Sequence, residues 1–187
     1  GVWHIQQRPE QRAFVDGLVA LTKALDSSRP VIGNDGWEYT SGDLWTLHLY
    51  HDDQRSLDER LAALAADPSQ PVTQGQRPRN GALAGSDPAQ LPMLLTECGG
   101  VGFESDTPND NAFAYGELPA DIAALEREIR QIMASISASK TLQGFVWTQL
   151  TDVQQEVNGL LYFDRRPMLP LTKLKEIFAD QTPPSVG

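Results

Sequence analysis

Four short apolar runs, at residues 31–34, 44–50, 91–97 and 141–150, each end on polar residues, and that gradient constrains this chain most. The first closes on Asn34-Asp35, the second on His48, Tyr50, His51 and Asp52. The third closes on Thr96-Glu97, the fourth on Trp147-Thr148-Gln149 with Asp152 beyond. The runs are continuous rather than alternating, which marks strands buried on both faces, as in a parallel sheet covered by helices. Parallel strands bring their C-terminal ends to one edge, and α/β sheets and barrels build their sites there.

Helical periodicity fills the intervals. Residues 9–25 start with Pro9 in the first turn and place Phe14, Val15, Leu18, Leu21 and Leu25 on one face. Residues 56–66 carry a stripe of Leu57, Leu61 and Leu64 behind Ser56 as N-cap. Residues 119–139 repeat Ile122, Leu125, Ile129, Ile132, Met133 and Ile136, and residues 171–179 form a last helix. No helix separates the first two strands, so a degenerate crossover around residues 36–43 is needed to keep them parallel. Residues 67–90, rich in Pro, Gly, Gln, Arg and Ser, read as a long surface loop, a kind that is often functional.

Composition narrows the function. The 187 residues suit one domain or a large part of one. With 25 acidic and 15 basic residues the net charge is −10, which repels phosphate and argues against nucleic-acid or anionic-membrane partners. Cys98 stands alone, so an intrachain disulfide and a Cys-based zinc cluster are excluded. No apolar run approaches the ~18 residues of a membrane span. The chain opens Gly1-Val2-Trp3-His4, without an initiator Met or signal peptide. It reads as a piece whose N-terminus carries no targeting information.

Among the strand-end residues Glu97 stands out. It follows the apolar run Pro92 to Thr96, where a carboxylate is partly desolvated and needs partners. The Gly99-Gly100 pair behind it admits close approach of backbone or ligand. A strand-end Glu paired to an Arg in solvent is the plainer alternative. His48, His51, Asp52 and Asp53 suggest a metal-dependent hydrolase, yet no further His or Cys stands at ligand spacing.

The segment Leu91-Pro92-Met93-Leu94-Leu95-Thr96-Glu97-Cys98-Gly99-Gly100 resembles the nucleophile segment of glycoside hydrolase family 2, the β-galactosidase, β-glucuronidase and β-mannosidase family. Gln143 to Asp152 is similar to that family's last barrel strand, and Asn158-Gly159-Leu160 with Asp164-Arg165-Arg166-Pro167 resembles its tail. Residues 26–35 and 46–50 match strands five and six. The resemblance implies a (β/α)8 TIM-barrel fold, of which this α/β chain, residues 1–187, supplies the C-terminal half, strands five to eight. It implies that Glu97 is the nucleophile of a retaining β-glycosidase, forming a covalent glycosyl-enzyme. Tyr50 matches the tyrosine that hydrogen-bonds this nucleophile, and Trp147 the tryptophan lining the sugar pocket. His48 is expected to line the same pocket or to orient Tyr50, Asn34 to line it, and Trp37 to be a subsite platform or to cap the barrel mouth; the plainer alternative for Trp147 is a buried core indole. No cofactor or metal is implied.

One departure matters. The family's acid/base is a Glu after an Asn at the end of strand four, and no Asn-Glu pair occurs in this chain. Glu38, Glu104 and Glu156 read as surface carboxylates rather than replacements. The chain alone is therefore expected to be inactive and to need the missing N-terminal half of the barrel with its accessory domains, or to self-associate. Two other readings stand beside the glycosidase: a non-catalytic carbohydrate-binding half-barrel, and a metal hydrolase using His48, His51 and Asp52.

Overall fold

The computed structural model describes residues 5, 8–50, 54–74, 77–103 and 112–179. Helix α1 (Pro9–Leu25) precedes strand β1 (Trp45–Tyr50), helix α2 (Gln54–Ala66), strands β2 (Pro71–Gln74) and β3 (Arg77–Asn80), and strand β4 (Met93–Gly99). Helix α3 (Ile122–Ala138), strand β5 (Leu142–Thr148) and helix α4 (Leu171–Ala179) complete the order. Strands β1, β4 and β5 form a three-stranded parallel sheet in the order β1-β4-β5, and β2 pairs with β3 antiparallel. The fold class is thus α/β.

Three strands, not four, share that sheet. Residues 31–34 make only an isolated antiparallel bridge, Ile32 to Gly42. The cause is Asp43, whose carboxylate accepts the Val31 N–H at 2.8 Å while its own N–H donates to the Val31 carbonyl at 2.8 Å. Lys23 holds the same carboxylate. The chain folds back on itself here, so no crossover forms. Within residues 67–90 lies the β2–β3 ribbon, in register Pro71 to Asn80 and Gln74 to Arg77. Helix α2 begins at Gln54, which puts Ser56 inside the helix rather than at its N-cap.

The chain falls into two compact units. The first comprises Gly1–Leu49, Glu59–Glu97 and Thr141–Phe145. Its core holds Trp45, Leu47, Leu64 and Leu95, and β1 is buried along its whole length. Ile5, Val15 and Leu83 cluster beside α1. Of the α1 stripe, only Val15 is buried; Phe14, Leu18, Leu21 and Leu25 are 59, 47, 56 and 80% exposed. Val19, one turn after Val15, is the second buried contact. Helix α1 therefore seats on the body by a narrow Val15–Val19 edge and turns its wider apolar face outward.

The second unit comprises Tyr50–Asp58, Cys98–Lys140 and Val146–Gly187. Helix α3 is its main support. Asp121 caps it, its carboxylate accepting the Ala124 N–H at 2.7 Å. Leu125, Ile129, Ile132, Met133 and Ile136 are buried, and Ile122 at the first turn is exposed. Helix α4 joins α3 through Glu126, which accepts from Arg130 and Lys173, and through Arg130 to Glu176 at 3.1 Å.

Candidate active site

In the first unit, β4 alternates its burial so that Met93 and Leu95 are sealed in the core while the carboxylate of Glu97, at the strand end, stays 38% exposed. β1 delivers His48, whose side chain is only 10% exposed. Its Nδ1 lies 3.2 Å from Glu97 Oε2, and its Nε2 lies 3.3 Å from Asp35 Oδ2. One imidazole thus bridges two carboxylates.

Asp35 is fixed on its other oxygen by Thr96, whose hydroxyl donates at 2.7 Å. The hydrogen bond from His48 is the largest cause that draws the Asp35 carboxyl down to about 2, against an opposing effect of burial. The turn that presents Asp35 is pinned where the Gly36 N–H donates to Thr46 Oγ1 at 3.0 Å. Gly36 sits at φ +69°, and a Cβ there would fall 1.9 Å from the His48 ring, so only glycine lets this turn pass over the imidazole. Trp37 meets His48 edge-on at 6.2 Å between ring centroids. Asn34 is buried and donates from Nδ2 to the Glu38 carbonyl at 3.3 Å. Glu38 is not a surface carboxylate: it is 3% exposed, and its Oε2 accepts the Ile5 N–H at 2.7 Å. A buried amide that would otherwise lack a partner explains its burial.

In the second unit, Tyr50 is buried and stacks flat on Tyr115 at 3.6 Å between centroids. Trp147 stands edge-to-face with Phe178 at 5.5 Å. Gly99, at φ +90°, lets the chain cross this indole, since a Cβ there would lie 2.5 Å from it. The indole N–H of Trp147 is buried without a hydrogen-bond partner among the described residues. The Thr148–Gln149 peptide that follows is cis. Asp152 is buried and accepts the Gly159 N–H at 2.8 Å, and burial pushes its carboxyl upward. Glu156 is half-buried and accepts from Asn158 Nδ2 at 3.1 Å. A cavity of about 590 Å³ is bordered by Gly99, Gly100, Val101, Glu117 and Glu128.

Of the residues picked out in the sequence, Glu97, His48, Asn34 and Trp37 fall in the first unit, and Tyr50 and Trp147 in the second. His51, Asp52, Asp53 and Glu104 lie outside the described residues. Among the described residues, no group of three or more His, Cys, Asp or Glu side chains is arranged to hold a metal ion. Sequence reasoning passed over Asp35 and Thr96 as partners. The signal was there in Asp35-Gly36, a turn dipeptide placed just ahead of the strand that carries His48.

A scan of family models matches nothing. Nothing among curated proteins matches either. Solved structures do. A family 2 β-galacturonidase from Eisenbergiella tayi superposes at a TM-score of 0.66 and 15% identity, over 92% of this chain and 31% of that one. The Faecalibacterium prausnitzii β-glucuronidase gives 0.61 and 17%, over 95% and 30%. The Bifidobacterium dentium β-glucuronidase gives 0.62 and 19%, over 96% and 28%. The chain spans less than a third of the length of these structures. At such identities the likeness is one of fold, and the fold is related to that of glycosidases.

Proposed function

We propose that this chain is the C-terminal half of the catalytic (β/α)8 barrel of a retaining β-glycosidase, with Glu97 as nucleophile. The observation that carries the reading is the Glu97 carboxylate at the end of β4, one oxygen 3.2 Å from His48 and the side chain open enough to meet a ligand. A Glu serving only as a surface charge gains nothing from a buried imidazole backed by a second carboxylate. In the reaction, a Glu97 oxygen attacks the anomeric carbon and the bond to the aglycone breaks. Tyr50 and Trp147 take the roles that the resemblance to family 2 implies for them, and Asn34 and Trp37, in the same unit as Glu97, border the sugar. The acid/base Glu comes from the rest of the protein, together with the N-terminal half of the barrel.

The apolar face of α1 supports that dependence. Phe14, Leu18, Leu21 and Leu25 lie on it at successive turns and are all exposed. A stripe of this kind is covered by further polypeptide in a stable assembly. Without it, the chain self-associates.

The glycone we assign is uncharged and β-galactoside-like. Glucuronidases and galacturonidases act on sugars that carry a carboxylate, and such a group calls for a Lys or Arg. Residues 30–54, 80–126 and 141–164, which include the C-terminal ends of β1, β4 and β5, contain neither.

The experiment is incubation of the full-length protein that contains this chain with 2-deoxy-2-fluoro-β-galactosyl fluoride, read by intact mass. Fluoride departs without protonation, so labelling reports the nucleophile independently of the acid/base Glu, and the 2-fluorine slows release of the sugar. One glycosyl adduct per chain is expected, and more of it than from the glucuronyl analogue. No adduct from either probe overturns the glycosidase reading. A dominant uronyl adduct overturns only the neutral glycone.

A further inference from the structure

We propose that His48, held by Asp35, is a positioning residue for Glu97: as an imidazolium between the two carboxylates it keeps the nucleophile ionised and oriented. The inference rests on the reading of Glu97 as nucleophile and adds to it the device that governs its charge.

A neutral imidazole has one N–H and one lone pair, so between two carboxylates it would aim that lone pair at one of them. Either both ring nitrogens carry protons, or one carboxyl does. The surroundings choose between these states. Asp35 already accepts a hydroxyl hydrogen from Thr96 at 2.7 Å, a bond that favours its ionised form. Its remaining oxygen, 3.3 Å from Nε2, therefore faces an N–H. The other proton lies along the 3.2 Å line from Nδ1 to Glu97 Oε2. An imidazolium there faces two anions, and the enclosed setting strengthens both attractions. Among the described residues, Asp35 from the turn and Glu97 from β4 face the ring with charged groups. Trp37 closes one side and Gly36 lies over the ring.

The pair also fits the covalent step. When a Glu97 oxygen bonds to the anomeric carbon, the leaving group departs with the electron pair and the carboxylate charge disappears into an ester. His48 keeps both protons throughout. It retains Asp35 as counter-ion while Glu97 is esterified, so no unpaired charge is left buried. Re-forming the Glu97 carboxylate restores the second pair, which favours its departure in the hydrolytic step.

The test uses the full-length protein that contains this chain, labelled with ¹⁵N-histidine, with the fluoride probe as a second readout. Both His48 nitrogens should report as protonated at the pH of the labelling assay. Asp35→Asn should slow adduct formation about tenfold. Asp35→Glu should restore most of the rate. Gly36→Ala, which displaces the ring and removes no charged group, should slow labelling as His48→Asn does. A neutral His48 tautomer in the wild-type chain overturns the proposal even if Glu97 is labelled. Labelling at the wild-type rate in folded His48→Asn overturns it too. An imidazolium with no adduct in any variant overturns the nucleophile reading on which the proposal stands.

Discussion

His48 Nδ1 lies 3.2 Å from Glu97 Oε2, and the opposite nitrogen of the same ring reaches Asp35 Oδ2 at 3.3 Å. Three residues, from a turn and two strands, thus form one line of contacts. Neither the turn nor the strands would place it alone. The turn needs Gly36, β1 needs its full burial to fix the ring, and β4 needs Leu95 in the core to bring Glu97 to the strand end.

The first consequence is acid sensitivity. The Asp35 carboxyl is depressed in the folded chain to about 2 from an ordinary 3.8. A depressed acid contributes stability that is present above its unfolded value and is lost as pH falls through the folded one. Its share should fade between about pH 4 and pH 2. The carboxylate is half exposed, so after discounting for solvent the share is about 1 kcal/mol. Urea midpoints at pH 6 and pH 2.5 should draw closer together in Asp35→Asn. An unchanged gap would count against the charge line.

Cys98 offers a probe of the second unit. It is fully buried, and desolvation pushes its thiol up to about 12. The thiolate is the reactive form, so native protein should resist iodoacetamide and react only on unfolding. Rapid alkylation under native conditions would show that the ends of β4 and β5 open readily.

Helix α3 sets the stability of that unit. Ile129→Ala removes a side chain that is 2% exposed and should cost about 2–5 kcal/mol. Asp121→Ala loses only the cap to the Ala124 N–H and should cost about 1 kcal/mol. Denaturant titrations that gave the two variants equal costs would contradict this division.

Much of this was legible in the sequence, for physical reasons. The α3 stripe repeats at 3.6 residues with no competing polar position, and five of its six members are buried. The three parallel strands are apolar runs whose lengths leave little choice. The run at residues 31–34 misled because the tie between Val31 and Asp43 depends on a side chain twelve positions away. The β2–β3 ribbon, Pro71–Gln74 with Arg77–Asn80, is stabilised by pairing and carries little strand propensity of its own. Asp35 escaped notice because its partner is chosen by the turn at Gly36, which no periodicity encodes. Glu38 was misjudged because charge suggests solvent, whereas the Ile5 amide holds it inside.

The exposed face of α1 makes a prediction about assembly. Leu18→Lys and Leu21→Lys together place charge on a surface that is about half exposed at both positions. If that face seeks a partner, the double variant should shift the chain toward monomer in light scattering at unchanged helicity. A wild-type chain already monomeric at high concentration would contradict the account.

The central claim is that Glu97 bonds to the anomeric carbon, and the most direct measurement is peptide mapping after reaction with the 2-fluoro glycosyl fluoride. The account predicts a single modified peptide spanning residues 80–127, with fragment ions that place the sugar on Glu97 and no adduct in Glu97→Gln. A sugar attached to any other residue, or an adduct that persists in Glu97→Gln, would contradict it.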